Sequence, residues 1–153
     1  MAPKLQRASV PTAAVAPAMV EPAERCQHLL IVDDEAQIRE LLTAYLQKQG
    51  YQVSSASTSE EALQALMQTP VHLAVLDISL GNEDGLRLLS RVKLEYPNVR
   101  VVMLTGLGFV EDLLEEAQRK GADGYMSKVL SLDELHMAIQ RALRPQPQPA
   151  SAA

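Results

Sequence analysis

The sequence predicts an α/β fold in which a doubly wound, five-stranded parallel sheet carries five helices on its two faces. Short aliphatic and β-branched runs, such as LLIV, LAVLD and VVML, alternate with segments in which apolar residues recur at helical spacing. Apolar runs of this length indicate strands that are buried on both faces. Parallel strands need long crossover connections, and the intervening helical segments have the length to provide them.

The first β/α unit begins with the run HLLIV, which ends at the acidic pair Asp33-Asp34. The apolar residues after this pair follow the i, i+3, i+4, i+7, i+8 spacing of one helical face: Ile38, Leu41, Leu42, Tyr45 and Leu46. Gly50 provides a stop for this helix. A second strand is then expected at about residues 52 to 56.

The second helix is predicted from a capping box, in which Thr58 is followed three residues later by Glu61. Its inward face is expected to consist of Ala62, Leu63, Leu66 and Met67. The helix should end before Pro70, and the third strand should run from Val71 to Asp77.

The last units repeat this alternation. A third helix is marked by Leu86, Leu89 and Val92 and is ended by Pro97. The fourth strand is expected from Arg100 to Thr105, and the fifth is a short one from Gly124 to Ser127. The fourth helix is marked by Val110, Leu113, Leu114 and Ala117 and is closed by Gly121. The fifth begins at a capping box of Ser131 and Glu134 and buries Leu135, Ala138, Ile139 and Ala142.

The two ends of the chain differ in composition from the part between them. Residues 1 to 26 are Ala/Pro-rich, and residues 144 to 153 are Pro/Gln/Ala-rich. Such segments bury too little apolar surface to offset the entropy of ordering them, so we expect disordered tails around one domain at residues 27 to 143. The single cysteine, Cys26, has no intrachain partner for a disulfide.

Composition argues against two classes of partner. The net charge of −5 gives no basic face for nucleic acid, and the small group Arg87, Arg91 and Lys93 fits a solvated helix face. No apolar run approaches the roughly 20 residues that cross a bilayer, so membrane insertion is not expected. With no secretory signal in view, we expect a cytoplasmic protein.

Polar residues end four of the five predicted strands. Asp33 and Asp34 follow the first, Asp77 the third, Thr105 the fourth and Lys128 the fifth. Ligands of doubly wound sheets bind beyond the carboxyl ends of the strands. In the flavodoxin-like strand order 2-1-3-4-5, strands 1 and 3 are neighbours, so the three carboxylates would share one crevice. Oxygen ligands favour a hard cation such as Mg²⁺.

The spacing of these residues resembles that of the receiver domain of two-component response regulators, over nearly the whole predicted core. The acidic pair after strand 1, the run DISLGNEDG with Asp77 eight residues before Gly85, the run VVMLTG and the run GADGYMSK occur in that family's order. The resemblance implies a phosphoacceptor signalling domain rather than an enzyme with its own substrate.

The resemblance also assigns roles. It implies that Asp77 accepts a phosphoryl group from a phosphohistidine, so that the partners include a sensor histidine kinase or a histidine phosphotransfer protein. Mg²⁺ would be held by Asp34, by Asp33 mostly through water, by Asp77 and by the backbone carbonyl of Ser79. Lys128 would contact the phosphoryl oxygens.

The same resemblance implies a switch and an output surface. Thr105 would donate a hydrogen bond to the phosphoryl group, and the ring of Tyr125 would turn inward in response. The signal would then reach an output protein through helix 4, strand 5 and helix 5.

The chain departs from the family pattern at two positions where proline is usual, which here hold Gly81 and Val129. We expect Gly81 to make the loop after strand 3 more flexible. At Val129 a cis peptide bond would cost roughly 3 kcal/mol, so the 128–129 bond would be trans and Lys128 would be slightly displaced.

Three functional hypotheses follow. The first is a stand-alone regulator that signals by protein contact or serves as a phosphate shuttle or sink, since no output domain follows helix 5. The second is a Mg²⁺-dependent phosphatase or phosphotransferase acting on a small molecule. The third is a pseudo-receiver that binds partners without phosphorylation. Taken alone, Asp33 and Asp34 would also fit a helix cap.

Overall fold

The computed structural model describes residues 27–106, 110–128 and 131–144, and in this part the expected sheet and helices form. The strands of the sheet are β1 (His28–Val32), β2 (Gln52–Ala56), β3 (Leu73–Asp77), β4 (Arg100–Thr105) and β5 (Gly124–Ser127). The helices are α1 (Ala36–Lys48), α2 (Ser59–Gln68), α3 (Gly85–Glu95), α4 (Glu111–Arg119) and α5 (Leu132–Leu143). The third strand begins two residues later than predicted. The expected tails lie outside the described residues except for Arg144, which is the C-cap of α5.

The sheet is parallel throughout and has the order β2-β1-β3-β4-β5, which confirms the predicted topology. Alternate residues of each central strand enter opposite cores. Leu30 and Val32 pack with α2, α3 and α4, whereas Leu29 and Ile31 pack with α1 and α5. None of the described helices has the length and apolar content to cross a membrane.

Two residues that were predicted to lie on an inward helical face are exposed. Met67 is 74% exposed and Leu41 is 51% exposed. In each helix the adjacent residue, Leu66 or Leu42, is the one buried in the core. Consecutive residues of a helix point about 100° apart, so Met67 and Leu41 face away from the core. These two assignments were wrong. Val110, which was expected to mark helix 4, is its extended N-cap and is 39% exposed.

The two predicted capping boxes differ. At α5 both reciprocal bonds of the Ser131–Glu134 box are present, as expected. At α2, Thr58 accepts a hydrogen bond from the Glu61 backbone N–H, but the Glu61 side chain accepts from Ser57 N at 2.8 Å instead of from Thr58 N. The box at α2 is therefore only half formed, and the Glu61 carboxylate instead binds Ser57, the residue before the N-cap.

A short antiparallel hairpin, which the sequence analysis did not predict, connects β3 to α3. Its strands, Ser79–Leu80 and Glu83–Asp84, leave a two-residue turn that begins at Gly81. Gly81 has φ +60°, which is unfavourable for most residues and closed to proline, whose ring fixes φ near −65°. The glycine at this position therefore permits a tight turn, and proline would not fit it.

Gly85 marks the closest approach between α3 and the end of β3. Its backbone N–H bonds to the carbonyl oxygen of Ile78 at 2.7 Å. A Cβ atom at this position would overlap the carbonyl oxygen of Asp77 and lie 2.8 Å from the Cα of Ile78. Only glycine lets the helix start this close to the strand that carries Asp77.

The variant Gly85→Ala should therefore be destabilised by at least about 3 kcal/mol, because the atoms in its way belong to the backbone and have no rotamer through which to move aside. Gly106→Ala provides the matched control. A Cβ there would meet Lys128 Cδ at an ordinary 3.7 Å, so its cost should stay within about 1 kcal/mol. Urea denaturation of both variants measures the difference, and equal losses would contradict this account of Gly85.

Candidate functional site

The polar residues predicted to meet at the carboxyl edge of the sheet do so. Asp33 directly follows β1, Asp77 and Thr105 are the last residues of β3 and β4, and Lys128 directly follows β5. The edge is held together by backbone bonds that run from strand to strand, such as Lys128 N to the Thr105 carbonyl oxygen at 2.8 Å. Asp33, Asp77 and Thr105 are buried, whereas Asp34 is exposed.

Three carboxylates of this edge form one cluster. Asp33, Asp34 and Asp77 each place an oxygen within 4.8 Å of the others. Neither residue of the acidic pair is the N-cap of α1, which is Glu35 and makes no side-chain cap bond. Asp33 Oδ1 instead accepts from Glu35 N at 2.9 Å, a tight local turn that keeps the carboxylate at the strand end. The capping alternative for this pair is therefore wrong.

Asp77 is fixed by contacts to both of its oxygens. Oδ1 accepts from the backbone N–H of Ser79 at 3.2 Å, and Oδ2 accepts from the Lys128 ammonium at 3.1 Å. The first residue of the hairpin therefore orients the carboxylate. The turn of the hairpin also reaches the site, because a Cβ at Gly81 would lie 3.7 Å from Asp34 Oδ2.

Lys128 is the cation of the cluster, and its ammonium reaches three carboxylates. It lies 3.0 Å from Asp33 Oδ2, 3.1 Å from Asp77 Oδ2 and 2.7 Å from Glu35 Oε1. The contacts with Glu35 and Asp77 are hydrogen bonds, whereas the contact with Asp33 Oδ2 is an ion pair. The bond between Lys128 and Val129, like Val129 itself, lies outside the described residues.

The proton affinities at the site reflect this crowding. Burial and then repulsion from Asp33 raise the pKa of Asp77 to about 6, although Lys128 and the Ser79 N–H act in the opposite direction. Burial disfavours the charge on Lys128, but its contacts with Glu35, Asp33 and Asp77 outweigh this effect and raise the pKa of Lys128 above its usual range. The Lys128 ammonium is thus the positive charge that faces a larger number of carboxylates.

Thr105 and Tyr125 lie next to each other at the edge of this cluster. Met103, two residues before Thr105, is the register partner of Tyr125, and the ring of Tyr125 packs against the core shared by α2, α3 and α4. Burial raises the pKa of the Tyr125 hydroxyl, and a hydrogen bond with Thr105 opposes this shift. The ring therefore has an inward position in which its hydroxyl and Thr105 interact.

Two contributors to the site were missed in the sequence analysis. Glu35 contacts Lys128 across 93 positions of sequence, and Arg39 Nη1 donates to the carbonyl oxygen of Asp33 at 2.7 Å. Glu35 could have been found as the third consecutive carboxylate after β1. Arg39 gave no such signal, because a basic residue on the first turns of a helix is usually solvated.

The donor set fits a hard divalent cation. Three carboxylates converge, Asp34 is open to solvent, and no histidine or cysteine side chain belongs to the cluster within the described ranges. Oxygen ligands with room for water suit Mg²⁺ better than zinc. A dication would also offset the repulsion that raises the pKa of Asp77.

Comparison with known proteins places this architecture among signalling domains. The family model described as response regulator receiver domain matches residues 29–140. Sporulation initiation phosphotransferase F of Bacillus subtilis is 32% identical over 117 residues, which cover 76% of this chain and 94% of that protein. A putative NtrX-like response regulator of Rickettsia felis is 39% identical over 116 residues, 74% of this chain but 24% of that protein. The chain thus spans about a quarter of the NtrX-like relative.

A solved structure provides a further comparison. A response regulator from Burkholderia pseudomallei, described with a phosphorylated aspartic acid, a calcium ion and citrate, superposes with a TM-score of 0.69 at 27% identity. The match covers 82% of this chain and 70% of that one. In that protein a phosphorylated aspartate and a divalent cation occur on the same fold.

The raised pKa of Asp77 predicts how stability depends on pH in the metal-free protein. Between about pH 4 and 6 the folded state holds a proton on Asp77 that the unfolded chain has lost, so the free energy of unfolding should fall as pH rises through this window. At pH 8 the variant Asp77→Asn should be about 1–3 kcal/mol more stable than wild type, and this gain should shrink toward pH 4. Asp112→Asn, which removes an exposed charge, should show no gain. Denaturant titrations across pH test this, and a destabilised Asp77→Asn at pH 8 would contradict it.

Proposed function

Because the chain belongs to the response regulator receiver domain family, we propose that it accepts a phosphoryl group on Asp77 from a histidine kinase or a histidine phosphotransfer protein. The observation that carries this proposal is the position of Asp77, a buried carboxylate at the sheet edge between an acidic pair and one ammonium. Receiver domains are phosphoacceptor signalling domains, and this site has the residues that such chemistry requires.

In the proposed reaction, an oxygen of Asp77 attacks the phosphorus of a phosphohistidine. The new P–O bond forms as the P–N bond breaks, and the imidazole leaves with the electron pair and takes up a proton. Asp77 is ionised at neutral pH, because that is above its pKa of about 6. Ser79 N–H and Lys128 orient the carboxylate before the donor arrives.

Mg²⁺ is the proposed cofactor, held by Asp33, Asp34, Asp77 and the backbone carbonyl of Ser79. Bound there, it would neutralise part of the negative charge that otherwise repels the incoming phosphoryl group. The Asp33 carboxylate accepts a hydrogen bond from Glu35 N, and the backbone carbonyl of Asp33 accepts one from Arg39. Because both bonds fix Asp33, its carboxylate needs little rearrangement to bind a cation. Exposed Asp34 leaves space for metal-bound water.

Lys128 and Thr105 are proposed to bind the transferred group. Lys128 would place its charge against the phosphoryl oxygens, as a point charge that follows them through the reaction. Thr105 would donate its hydroxyl to another phosphoryl oxygen. Thr105 ends β4, the neighbour of β3, and Lys128 follows β5 with its ammonium already 3.1 Å from Asp77 Oδ2, so both lie close to the group that Asp77 would carry.

The role of the whole protein is also a proposal. We infer a regulator whose receiver domain acts by protein contact, or as a phosphate shuttle or sink, in the cytoplasm. The match to sporulation initiation phosphotransferase F covers 94% of that protein, and this extent supports the inference of a regulator that acts through its receiver domain. No observation favours the small-molecule enzyme or the pseudo-receiver, since the acidic triad and Lys128 come together as phosphorylation would need.

The output surface is proposed to be α4, β5 and α5. Tyr125 lies in β5 and interacts with Thr105, so a change at the phosphoryl group would reach this surface directly. The two helices of this surface also expose both acidic and apolar side chains. Its helices expose acidic residues of α4, such as Glu111 and Glu115, and the apolar side chain of Met137 on α5.

Incubation with a small phosphodonor and Mg²⁺ should add one phosphate to the wild-type chain and none to Asp77→Asn, because that variant lacks the nucleophile. Asp34→Ala should lose most of its Mg²⁺ affinity, since it removes a charged ligand from a site with few. Intact mass spectrometry and metal titration measure the two effects, with Asp112→Asn as the control for charge. Labelling of Asp77→Asn at the wild-type level would overturn the assignment of the nucleophile.

Binding of beryllofluoride with Mg²⁺, which stands in for the phosphoryl group, should change amide exchange mainly between residues 107 and 138. The reason is a population shift between two packings of Thr105 and Tyr125, for which a coupling of about 1–3 kcal/mol is typical. Tyr125→Ala, which removes the ring, should reduce the changes in α4. Changes confined to the loops around Asp33 and Asp77 would favour a phosphate sink instead.

A further inference from the structure

The shortest contact of the Lys128 ammonium is with Glu35, a residue for which the proposed phosphoryl transfer has no role. Its Oε1 lies 2.7 Å from Lys128 Nζ, compared with 3.0 Å for Asp33 and 3.1 Å for Asp77. The Glu35 side chain is 59% exposed, whereas those of Asp33 and Asp77 are buried. Glu35 therefore holds Lys128 from the solvent side of the site.

The geometry of α1 makes this contact specific. Glu35 is the N-cap residue of α1, in extended conformation, but its side chain makes no cap hydrogen bond. Its backbone N–H instead binds Asp33, and its carboxylate binds Lys128. One residue thus connects the acidic pair to the only cation of the described cluster, and its side chain has no helix-capping function to explain it.

The three contacts of Lys128 limit what it can do for an incoming group. Because the ammonium already donates to Glu35 and Asp77 and lies 3.0 Å from Asp33 Oδ2, a phosphoryl oxygen has to compete with these carboxylates for its charge. Asp33 and Asp77 would gain a bound cation as a second partner, which is the proposed chemistry of the site. Glu35 has no such alternative partner among the described residues, so it is the carboxylate that continues to compete for the ammonium.

We propose that Glu35 is a positioning residue that holds the Lys128 ammonium toward the mouth of the site and competes with the phosphoryl group for it. The inference rests on the proposed phosphorylation of Asp77. It predicts that Glu35 weakens the hold of the site on a phosphoryl group and so lowers both the rate of loading and the lifetime of the loaded state.

The test is the affinity for beryllofluoride at saturating Mg²⁺, followed by NMR, in the full chain. Glu35→Gln keeps the length of the side chain but removes its charge, and it should bind beryllofluoride about two- to five-fold more tightly, as expected for the loss of one exposed ion-pair competitor. Glu40→Gln is the matched control. It removes the same charge from an exposed position of the same helix, where no ion pair is formed among the described residues, and it should leave the affinity unchanged.

A double-mutant cycle separates the contact from a general effect of charge. In a Lys128→Ala background, Glu35→Gln should no longer raise the affinity, because the competition acts through Lys128. The Mg²⁺ affinity and melting temperature of each variant, measured alongside, show whether the metal site and the fold are intact. An equal gain with and without Lys128, or with Glu40→Gln, would overturn the proposal.

The outcomes also distinguish this inference from the function on which it rests. If the wild-type chain binds Mg²⁺ but no beryllofluoride and is not phosphorylated, the proposed function fails. If the wild-type chain binds beryllofluoride and Glu35→Gln binds it with the same affinity, the function stands and the role of Glu35 is refuted.

Discussion

The whole site depends on one electrostatic constraint, the crowding of carboxylates around a single ammonium at the edge of the sheet. Asp33, Asp34 and Asp77 approach one another within 4.8 Å, and Lys128 compensates only part of their charge. Burying like charges this closely is unfavourable, and the raised pKa of Asp77 expresses that cost. The same surplus of negative charge creates affinity for a cation, so what destabilises the metal-free fold is what prepares the site for its ligand.

The carboxylates lie together despite their electrostatic repulsion because the topology of the sheet fixes their positions. β1 and β3 are adjacent and parallel, so the residues that follow them emerge at the same edge. Gly85 then brings α3 to within contact of the end of β3, and the hairpin at Gly81 places the Ser79 N–H on Asp77. Two glycines and the hydrophobic cores on both faces of the sheet therefore hold the carboxylates close together despite their mutual repulsion.

Much of this architecture could be predicted from the chain, because periodicity and strand-end chemistry are local properties of sequence. The strands and the five helices follow from the apolar pattern, whereas the strand order, and with it the meeting of Asp33, Asp77 and Lys128, was expected from the resemblance to receiver domains. Interactions set by packing could not be predicted. Nothing local distinguishes Leu41 from Leu42, and the contact between Glu35 and Lys128 exists only because the two ends of the domain fold onto one edge.

Because Lys128 serves three carboxylates, a change in any one of them alters its position relative to the other two. Asp33 and Asp77 are anchored by backbone groups, through Glu35 N and Ser79 N, whereas the Glu35 side chain is exposed and can move. The ammonium is therefore held by two fixed partners inside the site and one adjustable partner at its mouth. Glu35 is not among the proposed metal ligands, so its proposed role is to adjust the strength of the hold on a phosphoryl group without disturbing those ligands.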